Sequence, residues 1–414
     1  MNKKVIRGLI YCIVAILALC GGALGFIYST LPYTEVLETD DEQIYFSLKD
    51  KDVQHASGVT PDDNSMSIHF LELGNRYTGD CTYIKIGKDI DILIDCGSKS
   101  TSISYVKDYL DKYVTDGILE YVFITHAHED HYAGFATSAK VDSIFDLFYC
   151  NNIIYTNTTA DRKATSGYKN FQRELNEAKA KFDRNSDTTS TPNKHTSYEC
   201  VNDENLKSFV VDAELNVSID ILDTKYYSSP APKTKENENS VCFMLNHNDK
   251  HFLFTGDLEK EGEESLVALN TLKKVDLMKA GHHGSKTSSS ITLLDAVMKD
   301  DHSTICCVCC CAGSSEYTST IANQFPTKDF INRISQYTIY VYLTTMCINY
   351  KEHQFTSFNG NIAIISNASS TLSVYCSNNT TLLKDSDWFK QNRLDMCKDS
   401  PNEDGLYLNS SWIA

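Results

Sequence analysis

Residues 122–134 read VFITHAHEDHYAG, an apolar run followed at once by side chains that bind metal ions. The apolar, β-branched start predicts a buried strand. His126, His128, Asp130 and His131 then fall within six residues, and imidazole and carboxylate groups are ligands of zinc-like ions. We expect His126 and His128 to hold one ion, and Asp130 and His131 a second. The alternative, a histidine-rich surface turn, is disfavoured because the H-x-H-x-D-H spacing is specific.

Two later stretches supply ligands of the same kind. The run Phe254-Thr255-Gly256-Asp257 ends a predicted strand in a carboxylate. Asp257 either caps the following helix or binds metal, and the histidine motif favours metal. His282 and His283 follow another predicted strand, residues 275–279. One of them should complete the second metal site, with His283 preferred, while the other hydrogen-bonds behind the ligands or faces substrate.

The motif at residues 126–131 resembles the signature of the metallo-β-lactamase superfamily, a large group of hydrolases. This resemblance implies an α/β fold in four layers, the αββα sandwich, in which Asp257 bridges two metal ions. It implies Zn²⁺ as the cofactor, as one or two ions, with Mn²⁺ as the alternative. Asp130 and His283 are the predicted catalytic residues, Asp130 because it can orient the attacking water besides binding metal.

Three short runs carry a closer resemblance: FLELG at residues 70–74, GDC at 79–81 and LIDCG at 93–97. Together with the Asn-Ser pair at 239–240, they resemble the soluble domain of the ComEC competence proteins of bacterial DNA uptake. The resemblance extends over about Ser65 to Tyr375. It implies a DNA-handling relative and hence a possible nucleic-acid partner.

Three features depart from that family. The sequence has a single apolar span, so the multi-spanning DNA channel is absent. Phe325 stands before Pro326 where the family often has histidine. The third histidine of the first metal site has no clear counterpart, because neither His195, in an insertion, nor His247, in a hairpin turn, follows a strand. We therefore expect a weak first site and one tightly held metal ion.

Other polar residues have predicted supporting roles. Asp80 and Asp95 are expected to hold the metal ligands from behind. Substrate contacts are predicted for Asn239, Ser285 and Lys286. Lys279 is a further predicted donor to phosphate. For each substrate contact, the alternative is a structural role in its loop.

The N-terminal residues predict a membrane attachment that precedes the fold. Lys3, Lys4 and Arg7 come before an uncharged run from Gly8 to Tyr28, which is long enough to span a bilayer. Basic residues on that flank place the rest of the chain outside the cytoplasm, so a single-pass protein of the cell membrane is expected. A cleaved signal peptide is the alternative.

The remaining boundaries follow from composition and periodicity. We predict an anchor at residues 1–28, an acidic linker at 29–64 and one catalytic domain at 65–376. That domain carries a polar insertion at about 156–212, and a C-terminal extension follows at 377–414. Within the insertion, helical spacing predicts a helix from Tyr168 to Phe182.

Composition limits the partners. The 414 residues carry a formal net charge of −17, so no basic surface is expected for tight, general nucleic-acid binding. An anionic substrate is still permitted, because bound metal ions would dominate the local field. The sequence has 15 cysteines, most of which we interpret as small core residues. Oligomeric state is not predicted.

These observations favour a membrane-anchored, metal-dependent hydrolase that acts through a metal-activated water. A phosphodiester substrate, in nucleic acid or a phosphorylated cell-wall polymer, is preferred because of the ComEC resemblance. Hydrolysis of a β-lactam, lactone or thioester, as small-molecule substrates, is the alternative within the same fold. A non-catalytic binding module related to DNA uptake is the alternative from a different class.

Overall fold

The computed structural model describes residues 63–136, 142–185, 197–199, 206–228, 231–232, 234–368 and 372–413. The predicted anchor and all but the last two residues of the predicted linker lie outside the described residues. Across the described ranges, no helix combines the length and the apolar character that crossing a membrane requires.

The described strands form two sheets of eight. In chain order, β1 to β16 are Ser65–Phe70, Thr82–Ile86, Ile90–Ile94, Ile118–Ile124, Tyr149–Tyr155, Ser197–Glu199, Ser208–Asp212, Val217–Ile221, Phe243–His247, Lys250–Phe254, Leu277–Lys279, Ile305–Ala312, Val341–Asn349, Gln354–Ser357, Ile362–Asn367 and Ser373–Cys376. The first sheet has the order β16-β15-β1-β2-β3-β4-β5-β6, and the second has the order β14-β13-β12-β11-β10-β9-β8-β7.

Helices cover the outer faces of both sheets. In chain order, α1 to α11 are Ile103–Leu110, Glu129–Tyr132, Ile144–Leu147, Ala160–Lys163, Ser166–Asn185, Lys225–Ser228, Lys260–Leu269, Ile291–Val297, Lys328–Ile334, Asp387–Asn392 and Leu394–Asp399. Side-chain caps fix several starts. Ser290, Thr327 and Ser386 accept the N–H of the third residue of α8, α9 and α10, as good N-cap residues do.

Three apolar clusters separate four layers. Between the sheets, the rings of Phe123 and Phe243 stack with centroids 4.4 Å apart. Phe171 of α5 lies in the cluster between the first sheet and its helices, and Phe330 of α9 lies in the cluster outside the second sheet. Burying each such side chain contributes about 1.5–3 kcal/mol. The predicted mixed α/β fold with two sheets is confirmed.

Strand β4 shows why the apolar run forms a central strand. It pairs in parallel with β3 and β5, and Val122 and Phe123 are buried on its opposite faces. A parallel strand covered on both faces has a nearly continuous apolar sequence. In the second sheet, β10, β11, β12 and β13 are parallel to one another. The polar residues that follow these strands therefore gather at one end of the sandwich.

The cysteine-rich strand is β12. Its side chains alternate, with Cys307 and Cys309 between the sheets and Cys306 and Cys310 under the helices. The twelve cysteines of the described residues are free thiols. The prediction that they serve mainly as small core residues is confirmed for this part of the chain.

The insertion and the C-terminal segment are both packed against the sandwich. The predicted insertion helix is present as α5, and its buried residues lie on the first sheet. At the C-terminal end, Phe389 and Trp412 pack with ring centroids 5.5 Å apart in the cluster of the second sheet. Residues after 376 therefore complete a helix layer.

Candidate metal centre

The histidine loop starts where β4 ends, and a buried carboxylate fixes it. Asp95, directly after β3, accepts the N–H of Thr125 at 2.8 Å and its hydroxyl at 2.7 Å. The backbone of Asp95 has φ 56°, a left-handed conformation that costs a residue other than glycine about 1–3 kcal/mol. Such strain persists only where the surrounding structure imposes it.

Asp95 also orients His131. The Nδ1 atom of His131 lies 2.8 Å from Asp95 Oδ2. With the proton on Nδ1, the lone pair of Nε2 points into the centre, which is the arrangement of a metal-binding imidazole. The side chain of His131 is completely buried. The predicted position of Asp95 behind a ligand matches this geometry.

The second sheet contributes Asp257 and two histidines. Asp257 follows β10, and its N–H donates to Ser240 Oγ at 3.0 Å. The next helix, α7, has Glu259 as its N-cap residue, so Asp257 is not the cap. His282 and His283 form a tight turn after β11 with φ values of 47° and 56°. His283 Nδ1 lies 2.9 Å from the carbonyl oxygen of Cys309, which again leaves Nε2 directed at the centre.

The potential metal-ligand atoms of four side chains lie close together. Asp257 Oδ2 lies 3.1 Å from His131 Nε2 and 3.4 Å from His283 Nε2, and Asp130 Oδ2 lies 3.4 Å from His283 Nε2. Both Nε2 atoms and both Asp257 oxygens are buried without an aligned hydrogen bond to any described residue. Atoms that share a tetrahedral Zn²⁺ at about 2.0–2.1 Å are roughly 3.4 Å apart. The arrangement therefore fits a divalent cation.

A second set of imidazoles lies near Asp257. His126 Nε2 is 2.9 Å from His128 Nδ1 and 4.0 Å from Asp257 Oδ2. His282 Nε2 is 3.8 Å from the same carboxylate oxygen. His282 is therefore the candidate for the third imidazole that the sequence prediction lacked. Of the two histidines considered there, His247 lies in β9 bonded to Ser366, and the other, at position 195, is outside the described residues.

Asp80 lies behind the centre in a buried ion pair. One carboxylate oxygen is 2.5 Å from Lys279 Nζ, and the other is 3.1 Å from His283 Nδ1. The ligand atoms of Asp80, His131, Asp257 and His283 all lie within 4.8 Å of one another. Because Asp80 contacts the Nδ1 side of His283 and is neutralised by Lys279, we assign it to orienting that imidazole.

Charge balance within the centre shifts several pKa values. Burial alone would lower the pKa of His131 and His283, but Asp257 with Asp95 or Asp80 raises both well above the usual value. Burial lowers the pKa of His128 to about 4 and that of His126 well below its usual value. Protons on His131 and His283 thus balance the buried carboxylates, and a divalent cation would replace them.

Of the predicted substrate contacts, two are engaged elsewhere. Asn239 is fully buried, accepting the N–H of Ala231 at 3.0 Å and donating to Glu236 at 3.3 Å. Lys279 is also buried in its pair with Asp80. Neither side chain is placed to meet a substrate, because each is used to hold a loop.

The other two predicted contacts lie in the turn after the histidine pair. Ser285 is largely buried and its hydroxyl is 3.0 Å from that of Thr287. Lys286 is exposed. Of the four predicted substrate contacts, Lys286 is thus the one whose side chain is exposed to solvent.

Sequence reasoning missed Glu236 and Tyr317, and it noted Phe325 only as a departure from the related family. Glu236 accepts the N–H of Ala127 at 3.1 Å and of Thr159 at 2.7 Å, so it ties the histidine loop to the insertion. The hydroxyl of Tyr317 donates to Asp130 Oδ2 at 3.0 Å. Phe325 packs on both histidines of the turn, 5.7 and 5.8 Å between ring centroids. Tyr317 lies in an aperiodic polar loop, so no pattern could have identified it.

Comparison with known families agrees with this geometry. Residues 74–142 match the model of the metallo-beta-lactamase superfamily. The chain contains a metallo-β-lactamase superfamily domain. The predicted superfamily is thereby confirmed.

Two curated relatives match a short part of the chain. ComE operon protein 3 of Bacillus subtilis (strain 168) is 41% identical over 61 residues, 15% of this chain and 8% of that protein. Recombination protein 2 of Haemophilus influenzae is 38% identical over 65 residues, 16% of this chain and 8% of that protein. The chain therefore spans a small fraction of either relative, and the similarity to ComEC-type competence proteins concerns this stretch.

A solved structure with the same family name aligns loosely. The metallo-beta-lactamase fold protein YhfI from Bacillus subtilis is 12% identical with a TM-score of 0.32, covering 68% of this chain and 86% of that chain. A superposition this loose adds nothing to the assignment. The fold assignment rests on the family match and on the observed sheet topology.

Proposed function

We propose that this protein is a metal-dependent phosphodiester hydrolase. The observation that carries the proposal is the convergence of buried, unbonded Nε2 and carboxylate oxygen atoms around Asp257. His131, His283, Asp130 and Asp257 would hold one cation, and His126, His128, His282 and Asp257 a second. A divalent cation at such a centre supplies Lewis acidity and a water activated near neutral pH.

The chain's own residues prepare the centre for this chemistry. Asp95 and the carbonyl of Cys309 hold His131 and His283 in the required tautomer. Asp130 is 18% exposed, unlike the buried Asp257, so it is the carboxylate that can accept a hydrogen bond from an incoming nucleophile and orient it. Asp257 contributes a single charge to both sets of ligands, which makes it the residue whose loss should be most damaging.

The choice of a phosphodiester rests on the similarity to ComEC-type competence proteins. Lys286, exposed beside the histidine turn, is suited to a phosphate oxygen. Hydrolysis of a β-lactam, lactone or thioester is the competing activity, since one fold supports many substrates. Zn²⁺ is the preferred cofactor because the ligand set is rich in imidazole, and Mn²⁺ is the alternative.

Metal analysis combined with a panel of simple phosphodiesters, lactones and β-lactams tests the proposal. Wild-type protein should bind one or two ions and hydrolyse a phosphodiester. Asp257→Ala should abolish turnover and reduce metal content, whereas Lys286→Ala should mainly raise KM with kcat retained. Robust lactone or β-lactam turnover without phosphodiester turnover would replace the substrate. Bound metal with no hydrolysis of any ester would favour a binding module.

We also propose that the protein is attached to the cell membrane by residues 1–28, with the catalytic domain outside the cytoplasm. The support is the uncharged run from Gly8 to Tyr28 with basic residues before it. Deletion of residues 1–28 should move the protein from the membrane fraction to the soluble fraction with its metal content unchanged. Loss of folding on that deletion would show that the segment belongs to the core.

A further inference from the structure

A loop after β12 forms one wall of the candidate metal centre. This loop, residues 313–325, is closed at its base, where the N–H of Gly313 donates to the carbonyl of Phe325 at 2.7 Å. Near its start, the carboxylate of Glu316 accepts the N–H of Thr78 at 2.9 Å. The loop is therefore fixed to both sheets, because Thr78 follows β1 while the loop itself follows β12.

Tyr317 is the residue that this loop presents to the centre. Its side chain is 58% exposed, yet its hydroxyl lies 3.0 Å from Asp130 Oδ2. That oxygen is itself 3.4 Å from His283 Nε2. The ring packs against Phe325 with centroids 5.7 Å apart, which directs the phenol toward the open side of Asp130.

From this placement we infer that Tyr317 is a catalytic residue of the proposed hydrolase. Its phenol O–H would donate a hydrogen bond to the substrate oxygen that gains negative charge in the transition state. The inference rests on the proposed function, since it names a donor to the oxyanion at that same centre. In the free enzyme, the Tyr317 hydroxyl would donate its hydrogen bond to Asp130. When substrate binds, a substrate oxygen would replace Asp130 as the acceptor.

The chemistry of the side chain supports a donor. An ordinary phenol has a pKa of about 10, so it remains protonated near neutral pH and can donate but not accept a proton. A donor that is held in place before reaction stabilises developing charge without reorganisation. The loop supplies that fixation through Glu316 and Phe325. The competing explanation is that Tyr317 only braces Asp130.

Two variants and one control separate these explanations. Tyr317→Phe removes the hydroxyl and keeps the ring, and Tyr317→Ala removes both. Tyr340→Phe is the matched control, because Tyr340 is also an exposed tyrosine. It directly precedes β13, whereas the candidate metal centre lies beyond the other ends of these parallel strands. Each protein is loaded with Zn²⁺, its metal content is measured, and its affinity for inorganic phosphate is determined by calorimetry. Turnover of bis(p-nitrophenyl) phosphate is recorded in parallel.

We expect Tyr317→Phe to retain its metal, to bind phosphate about tenfold more weakly, and to lose about a hundredfold in kcat with little change in KM. Tyr317→Ala should in addition raise KM, because the aromatic wall is lost, and Tyr340→Phe should match the wild type. Equal phosphate affinity in Tyr317→Phe and wild type would overturn the inference. So would loss of metal in Tyr317→Phe, or a wild-type protein that binds no phosphate.

The phosphate measurement also separates this inference from the proposed function. If the wild type hydrolyses no phosphodiester but Tyr317→Phe still weakens phosphate binding, the Tyr317 contact is upheld and the phosphodiesterase proposal fails. If the wild type hydrolyses a phosphodiester but phosphate affinity is unchanged in Tyr317→Phe, the phosphodiesterase proposal is upheld and the Tyr317 inference fails.

Discussion

At the scale of single residues, the centre depends on charges that are buried in balance. Lys279 is 4% exposed, and its ammonium contacts Asp80 at 2.5 Å and the carbonyl of Ala280 at 3.1 Å. Asp80 in turn contacts His283. A buried pair of this kind is weak evidence for stability, but removing one partner leaves an uncompensated charge. Lys279 therefore acts on the centre through Asp80 and His283.

We predict that Lys279→Met lowers the free energy of unfolding of the metal-free protein by about 3–5 kcal/mol. The double variant Asp80→Asn/Lys279→Met should recover part of that loss, because no unpaired charge remains. Lys286→Met is the control, since Lys286 is exposed in the same turn, and should unfold like the wild type. Urea denaturation gives the free energy of unfolding of the wild type and of the three variants. A wild-type midpoint for Lys279→Met would show that the pair contributes nothing.

Some residues of the candidate site could be predicted from the sequence, and others could not. His126, His128, Asp130, His131, Asp257 and the histidine pair could be found because each follows a predicted strand end. The assignment of Lys279 to substrate failed because a lysine at a strand end has no periodicity that distinguishes burial from exposure. Tyr317 and Glu236 were out of reach because their contacts join residues far apart in the chain.

At the scale of elements, most strands and helices were predictable, while their contacts across the two sheets were not. The apolar run of β4 and the helical spacing of α5 match the predicted elements. Glu72 illustrates the limit. It follows β1 of the first sheet, but its carboxylate accepts hydroxyls of Thr345 in β13 and Ser357 in β14 at 3.4 and 3.1 Å. Nothing in the sequence marks this carboxylate as a link between sheets.

Burial raises the pKa of Glu72 from 4.5 to about 8, against the opposing effect of the Ser357 and Thr345 hydroxyls. The folded protein thus keeps this proton up to about pH 8, whereas the unfolded chain releases it near 4.5. Its contribution to stability is full below about pH 4.5, falls as pH rises toward 8, and is constant above. The fall is on the order of 5 kcal/mol.

We predict that Glu72→Gln removes this dependence. Its free energy of unfolding should match the wild type near pH 4.5 and exceed it by several kcal/mol at pH 9. Glu214→Gln, an exposed glutamate, should follow the wild-type pH profile. Urea unfolding across this pH range provides the measurement. Parallel profiles for wild type and Glu72→Gln would mean that Glu72 is ionised in the folded state without penalty.

At the scale of the whole molecule, the acidic surface and the candidate metal centre act in opposite directions on a polyanion. The formal net charge is −17, and charges of one sign repel a long nucleic acid before it reaches the centre. Two cations near the centre are already engaged: Lys99 pairs with Glu129 at 3.0 Å, and Arg76 stacks on Tyr350 at 4.5 Å. Binding of a polyanion would therefore depend on short-range contacts at the candidate metal centre.

This balance predicts an unusual salt dependence. For long single-stranded DNA, KM should fall as salt rises from low to physiological concentration, because the Debye length shrinks to about 8 Å and screens the repulsion. For a small single phosphodiester, KM should change little. Proteins that bind nucleic acid through basic surfaces show the reverse, a steep loss of affinity with salt. Kinetics with both substrates at several salt concentrations would test this, and a KM for long DNA that rises steeply with salt would show that a local basic surface outweighs the net charge.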